Sequence, residues 1–149
     1  PKLELGSLGQ IGVVVKDIEK VMKYYTDNFG IGPWRIREME TESIYRGQKR
    51  TLRMKLAFAL LGPLQLELIQ PVGDEESIYT EFLKARGEGI QHLGFYLGDV
   101  EKAIAEFQGL GIGVIQGRWS ADGGFGYMDT ESVGGICFEI IQRRPTQPV

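Results

Sequence analysis

Apolar positions along this chain follow two spacings, one typical of strands and one typical of helices. Alternating segments rich in β-branched residues predict strands in the first half near 8–15, 34–41, 51–61 and 64–70. The same criterion predicts strands in the second half near 91–97, 113–119, 125–129 and 136–142. Apolar residues three and four apart predict helices over 18–28, over about 77–85 and after Asp99. A polar stretch runs from 42 to 50, and the proline-containing tail 143–149 is expected to be loose.

The second half of the chain repeats the first. Gln10-Ile-Gly and Asp17 recur 82 residues later as His92-Leu-Gly and Asp99. Each half is predicted to be β-α-β-β-β. We therefore expect one α+β domain over residues 1–149, built of two tandem βαβββ modules at about 8–72 and 90–142 with the short helix 77–85 between them. The modules are expected to form a curled, trough-like mixed sheet with the helices on its outer face.

Composition narrows the possible partners. The chain is 42% hydrophobic and 25% charged, as in ordinary globular proteins. A net charge of −3 gives no general attraction to nucleic acid or to an anionic membrane. No apolar run is long enough to span a bilayer, no signal segment opens the sequence, and the single Cys137 excludes an internal disulfide. We expect a cytoplasmic protein that binds a small molecule.

Four polar residues stand at repeat-related places inside apolar strands. Gln10 corresponds to His92, and Glu67 in Leu-Glu-Leu-Ile corresponds to Glu139 in Phe-Glu-Ile-Ile. Strand alternation leaves each one on the face away from the apolar row that suits packing under a helix. Two carboxylates brought together would repel each other unless a cation lies between them. The set is therefore predicted to bind Mn, Co, Ni, Mg or Zn; a hydrogen-bonded polar cluster without metal is the alternative.

These modules and motifs, with the Gly134-Gly-Ile-Cys-Phe-Glu139 ending, resemble the vicinal oxygen chelate superfamily over about residues 8–142. The strand from Leu66 to Pro71 and the segment before His92 are most similar to methylmalonyl-CoA epimerases. The resemblance implies a metal-dependent isomerase or epimerase that removes a proton next to a carbonyl through a metal-stabilised enolate. Gln10, Glu67, His92 and Glu139 would then be the metal ligands, with Glu139 or Glu67 transferring the proton. A homodimer is also implied.

Two alternatives stay open within this resemblance. The ligand order Gln, Glu, His, Glu also resembles glyoxalase I, which implies a lactoylglutathione lyase or a related thiol-adduct enzyme. Val14 and Pro71, however, stand where that enzyme has polar anchors for glutathione, and Leu56 stands near the position of an additional catalytic Glu in the epimerases. The other alternative is a non-catalytic binder of the drug-sequestering type. An iron dioxygenase with two histidine ligands is excluded because the chain has one histidine.

The rest of the site is predicted from charge and aromatic residues. Between Pro33 and Lys55, seven basic residues outnumber three acidic ones, which indicates either a rim for an anionic acyl thioester or a solvated hairpin. Five aromatic residues are candidates for an apolar cup around the substrate: Trp34, Phe58, Trp119, Phe125 and Tyr127.

Overall fold

A computed structural model describes residues 1–142, so the prediction for the tail 143–149 lies outside the described residues. The first half contains β1 (Ser7–Val14), α1 (Ile18–Phe29), β2 (Arg35–Tyr45), β3 (Gln48–Leu61) and β4 (Leu64–Val72). The connecting helix α2 (Ile78–Arg86) follows. The second half contains β5 (Gly89–Tyr96), α3 (Val100–Gly109), β6 (Val114–Ser120), β7 (Gly123–Met128) and β8 (Cys137–Gln142). Within residues 1–142, no helix is long and apolar enough to cross a membrane.

The strands form one mixed, curled sheet, as predicted, but the sheet closes into a barrel where a trough was expected. Its strand order is β1-β4-β3-β2-β6-β7-β8-β5. The β1–β4 and β5–β8 pairs are parallel, and the other pairs are antiparallel. Because the sheet is closed, the barrel has an interior that is separate from the helices on its outside. Inward-facing polar side chains from different strands therefore share one space.

Helices α1 and α3 begin at equivalent caps and cover the outside of the barrel. The side chains of Asp17 and Asp99 accept hydrogen bonds from the backbone N–H groups of Lys20 and Lys102, which satisfies donors that a helix start leaves free. Helix α1 packs on an apolar row of β3 and β4 that includes Leu68, and α3 packs on residues of β7 and β8. The sequence predicts an apolar outer row and an inner row with one polar ligand candidate for β1, β4, β5 and β8, and the cavity wall agrees for Gln10, Glu67 and Glu139, while Leu66, Leu68 and Ile140 pack under the helices.

The polar stretch 42–50 is mostly strand, which corrects the sequence-based expectation. Strands β2 and β3 pair along their whole length down to Tyr45 and Gln48, around the two-residue turn Arg46–Gly47. Both turn residues have positive φ, 46° and 79°, as a tight hairpin turn requires. Charged residues on the solvent side of the hairpin hide the strand from a hydrophobicity pattern.

The barrel closes weakly between β2 and β6. Only two residue pairs register across this seam, Ile44 with Gly117 and Tyr45 with Gln116. Beyond them a recess lies between the two strands, lined in part by Ser43 and Arg118. By contrast, the β1–β5 pair on the opposite side of the barrel registers from Ser7 to Val14. The two seams that join the halves therefore differ greatly in their number of backbone hydrogen bonds.

Candidate active site

Two of the predicted ligands lie on neighbouring strands and are accommodated by glycines. In the antiparallel β1–β5 pair, Gln10 is opposite Gly94 and Gly12 is opposite His92. A Cβ atom at Gly12 would lie 1.8 Å from Cε1 of His92, and one at Gly94 would lie 2.9 Å from Cβ of Gln10. Each polar side chain therefore fills the space that the glycine on the other strand leaves. The repeated Gln-x-Gly and His-x-Gly spacing encodes this exchange.

The structure brings all four predicted ligands together. Nε2 of His92 lies 2.9 Å from Oε1 of Gln10, 2.9 Å from Oε2 of Glu139 and 3.6 Å from Oε1 of Glu67. One ligand atom from each of Glu67, His92 and Glu139 lies within 4.8 Å of the others. All four side chains are buried, and His92 is completely inaccessible to solvent. Strand alternation and the repeat are thus sufficient to predict this convergence.

Two glutamines orient the groups around His92. Nδ1 of His92 is 2.7 Å from Oε1 of Gln91, and because that oxygen can only accept, the ring hydrogen lies on Nδ1. In the neutral ring, Nε2 then presents a lone pair to the oxygens around it. Histidines that bind metals are usually held by such a second hydrogen bond. In the same way, the Gln10 amide N–H donates to Oε1 of Gln65 at 2.8 Å, which turns Oε1 of Gln10 toward His92.

The residues present fit a divalent ion. A lone pair facing several oxygens is unfavourable unless a cation lies between them. When His92 is neutral and its ring hydrogen lies on Nδ1, the buried Oε2 of Glu139 receives no hydrogen bond from residues 1–142. Ligand atoms bound at about 2.1 Å and at right angles to each other are about 3.0 Å apart, close to the 2.9 Å separations around His92. Three oxygens and one nitrogen are a suitable donor set for such an ion.

Burial and the charges of neighbouring groups shift the pKa values of Glu67 and His92. Burial, followed by the charge of Glu139, raises the pKa of Glu67 from 4.5 to about 8, although His92 and Arg35 act in the opposite direction. Burial lowers the pKa of His92, but the carboxylates of Glu139 and Glu67 outweigh burial and leave it above its usual value. Without a cation, Glu67 therefore keeps its proton near neutral pH, and a divalent ion would compete with that proton.

The ligand cluster opens onto a cavity of about 190 Å³ inside the barrel. Gln10, Glu67 and Glu139 are part of its wall. Three of the five predicted aromatic residues also line it: Phe58, Phe125 and Tyr127. The cavity therefore combines a polar floor with aromatic and aliphatic walls, which is typical of small-molecule sites.

The two tryptophans lie elsewhere. Trp34 packs against the α1 side of the barrel, and its indole N–H donates to Oγ1 of Thr26 at 2.9 Å. Trp119 packs against the α3 cluster. On β6 the residue that pairs with the cavity-lining Phe125 is Arg118, so Trp119, one position later, faces the helices. The structure thus does not bring Trp34 or Trp119 into the cavity.

The sequence pattern alone does not predict several residues of the site. Tyr79 of α2 lines the cavity, and its hydroxyl lies 2.8 Å from that of Tyr127, whose ring packs edge-on against His92. Tyr79 and Leu83 are four residues apart in α2, and this helical spacing indicates a second row of side chains that faces inward. No pattern identifies Gln91, because strand neighbours are expected to point to opposite faces and Gln91 nevertheless reaches the adjacent His92. Gln65 lies two residues before Glu67 and so shares its face.

Known proteins resemble the chain in sequence and in fold. Residues 9–127 match the Glyoxalase/Bleomycin resistance protein/Dioxygenase superfamily. Mouse mitochondrial methylmalonyl-CoA epimerase is 22% identical over 108 residues, which are 72% of this chain and 55% of that protein, so the chain spans about half the length of this curated relative.

Two solved structures of methylmalonyl-CoA epimerases share the fold. The Mycobacterium tuberculosis enzyme is 22% identical, with a TM-score of 0.66 over 97% of this chain and 93% of that chain. A variant of the Streptomyces coelicolor enzyme in complex with 2-nitronate-propionyl-CoA is 18% identical, with a TM-score of 0.70 over 98% of this chain and 100% of that chain. With the superfamily match covering most of its length, the chain belongs to the glyoxalase/bleomycin resistance protein/dioxygenase superfamily.

Proposed function

We propose that the protein is a metal-dependent isomerase or epimerase that moves a proton on a carbon next to a carbonyl, most like methylmalonyl-CoA epimerase. The observation that carries this proposal is the convergence of Glu67, His92 and Glu139, with Gln10, on one buried point at a cavity wall. The similarity to epimerases that act on acyl thioesters supports the reaction class.

The proposed chemistry uses the cavity's own acidic groups. A divalent ion held by the four side chains would supply Lewis-acid stabilisation of negative charge on a substrate oxygen. Glu139 is the proposed base, because its buried Oε2 receives no hydrogen bond from residues 1–142 when the ring hydrogen of His92 lies on Nδ1. Glu67, whose pKa is raised to about 8 mainly by burial, is the alternative proton carrier. A proton taken up by either carboxylate exchanges with water before it returns, so the substrate carbon should acquire solvent hydrogen.

The two other candidate functions have less support. A lactoylglutathione lyase needs polar anchors where this chain has Val14, which is fully buried in the apolar core, and Pro71, which has no N–H to donate. A drug-sequestering binder would use an aromatic groove, yet Trp34 and Trp119 lie outside the cavity. A buried His with two carboxylates would also be an unfavourable floor for an apolar ligand.

Metal analysis and solvent exchange test the proposal. Protein purified without chelator is expected to contain close to one equivalent of divalent metal. In deuterated water it should introduce deuterium next to the thioester of methylmalonyl-CoA, as measured by mass spectrometry. Less than about one-tenth equivalent after soaking in metal would contradict the metal site. Absence of exchange into any 2-substituted acyl-CoA or thiol hemiacetal would contradict proton transfer. The homodimer is also a proposal, which sedimentation can test.

A further inference from the structure

Two arginines of β2 share the cavity with the proposed metal ligands. Arg35 and Arg37 lie on the inward side of the strand, and both line the cavity wall. Arg35 is opposite Phe58 on β3, and Phe58 is opposite Glu67 on β4, so the three stand side by side in one row. The Arg35 guanidinium lies 4.5 Å from the centre of the Phe58 ring. This stacking directs a planar cation toward the ligand cluster.

Neither of these arginines is held in a salt bridge, although the charge of Arg35 acts on Glu67 through space. Among residues 1–142, Arg35 and Arg37 have no salt bridge and no side-chain hydrogen bond. Other basic residues of the same hairpin do have acidic partners outside the cavity: Arg46 with Glu81, Arg50 with Glu75 and Lys55 with Glu19. Lys49 and Arg53 also have no salt bridge among residues 1–142, but they lie outside this cavity, so Arg35 and Arg37 are the basic residues of the hairpin that line it.

The charge balance of the cavity favours an anionic ligand. Its acidic groups are Glu67 and Glu139, and its basic groups are Arg35 and Arg37. A divalent ion bound by the two carboxylates would cancel their charge and leave two uncompensated guanidinium groups facing the same space. Arg35 and Arg37 are exposed to solvent at this cavity, and two like charges on one cavity wall attract an anion.

We propose that Arg35 and Arg37 form a subsite for a carboxylate carried by the acyl part of the substrate. This inference rests on the proposed function and adds the substrate class. A cavity of about 190 Å³ holds the volume of roughly six water molecules, which suits a short carboxylated acyl group and leaves a nucleotide outside. The planar fork of a guanidinium matches a carboxylate with two parallel hydrogen bonds.

Binding of two matched thioesters tests the subsite. Methylmalonyl-CoA and propionyl-CoA differ only in the carboxylate, so the ratio of their dissociation constants isolates its contribution. We expect the metal-loaded protein to bind methylmalonyl-CoA roughly 10- to 100-fold more tightly, as for hydrogen bonds to a charged group. Arg35→Gln and Arg37→Gln should each reduce this ratio, and the double variant should bring it close to one. Arg35→Lys should give an intermediate ratio because it keeps the charge but loses the planar fork.

The control is Arg53→Gln, which removes an exposed arginine of the same hairpin outside this cavity. For this variant, the ratio of the two dissociation constants and the affinity for propionyl-CoA should match those of the original protein. The subsite is overturned if the original protein binds both thioesters equally or neither, or if the arginine variants leave the ratio unchanged. Solvent exchange separates this result from the proposed function. Exchange with an unchanged ratio refutes the subsite alone, whereas a lost ratio in the variants without any exchange in the original protein refutes proton transfer alone.

Discussion

The imidazole ring of His92 occupies the volume that a side chain at Gly12 would need. A Cβ atom at Gly12 would lie 1.8 Å from Cε1, 2.2 Å from Nδ1 and 2.3 Å from Nε2 of the ring. No rotation about the backbone of β1 relieves this, because Gly12 is paired with strands on both sides, at Glu67 and at His92. The identity of residue 12 therefore sets the position of the histidine across the strand pair.

Gly12→Ala is accordingly expected to displace His92 and to weaken metal binding by at least tenfold. The overpacking should also lower the free energy of unfolding by about 1–3 kcal/mol. Titration with Mn or Co and urea denaturation measure the two effects. Gly98→Ala is the matched control, since a Cβ atom there meets nothing within 4 Å. Unchanged metal affinity in Gly12→Ala would show that His92 is not a ligand.

Variants of His92 and Glu139 should separate metal binding from proton transfer. His92→Ala is expected to reduce bound metal below about one-tenth equivalent, because the single nitrogen donor is lost. Glu139→Gln keeps an oxygen donor but cannot accept a proton, so exchange should fall by about 10²- to 10⁴-fold while metal remains bound. Metal analysis and deuterium exchange measure the two outcomes, and Glu106→Gln on the exposed face of α3 is the control. A Glu139→Gln variant with nearly full exchange would point to Glu67 as the base.

Gln91 is expected to act on the metal through His92. Gln91→Met preserves the size of the side chain but removes the acceptor 2.7 Å from Nδ1. Loss of such an orienting hydrogen bond typically reduces metal affinity by about 10- to 100-fold. Isothermal titration with one metal ion would measure the change. The exposed Gln108→Met should have no effect, and equal affinities for the two variants would refute the orienting role.

The stability of the metal-free protein should fall as pH rises. The folded chain holds the Glu67 proton up to about pH 8, whereas an unfolded Glu loses it near 4.5. Between these values the folded state binds more protons, so raising the pH favours unfolding, at most about 1.4 kcal/mol per pH unit for this group. The raised pKa of His92 acts in the same direction above its unfolded value of 6.5.

Urea denaturation of chelator-treated protein between pH 5 and 8 measures this slope, the change in the free energy of unfolding with pH. Glu67→Gln cannot titrate and should flatten it, while Glu4→Gln at the exposed amino-terminal segment should leave it unchanged. Bound metal should remove the slope as well, with release of about one proton on binding near neutral pH. A slope that is the same in Glu67→Gln and in the original protein would contradict the raised pKa.

The sequence was sufficient to predict that Gln10, Glu67, His92 and Glu139 converge, because two regularities agree there. Alternation puts Gln10 and Glu67 on the inner rows of their strands, and the repeat assigns His92 and Glu139 to equivalent rows. Backbone pairing then brings these rows together, since β1 is hydrogen-bonded to both β4 and β5. Local pattern and long-range topology therefore lead to the same residues.

Alternation is less informative where strands are irregular or charged. A register shift between Val114 and Gln116 changes which residues of β6 face inward, so Trp119 points to the helices. The hairpin of β2 and β3 carries charged residues on its solvent side. These residues mask the strand pattern of β2 up to Tyr45 and the inward position of Arg35. The sequence supplies no geometry for Gln91, whose contact with its neighbour His92 depends on side-chain rotation.

The weak seam between β2 and β6 lies on the side of the barrel opposite the strongly paired β1 and β5. With only two registered pairs, this side can absorb insertions, altered strand lengths or new side chains at small energetic cost. The strands that carry the four predicted ligands, β4, β1, β5 and β8, are two or three places away around the barrel and would keep their register. Descendants of such a fold can therefore acquire new substrates through changes along one seam while inheriting the same reactive centre across the other.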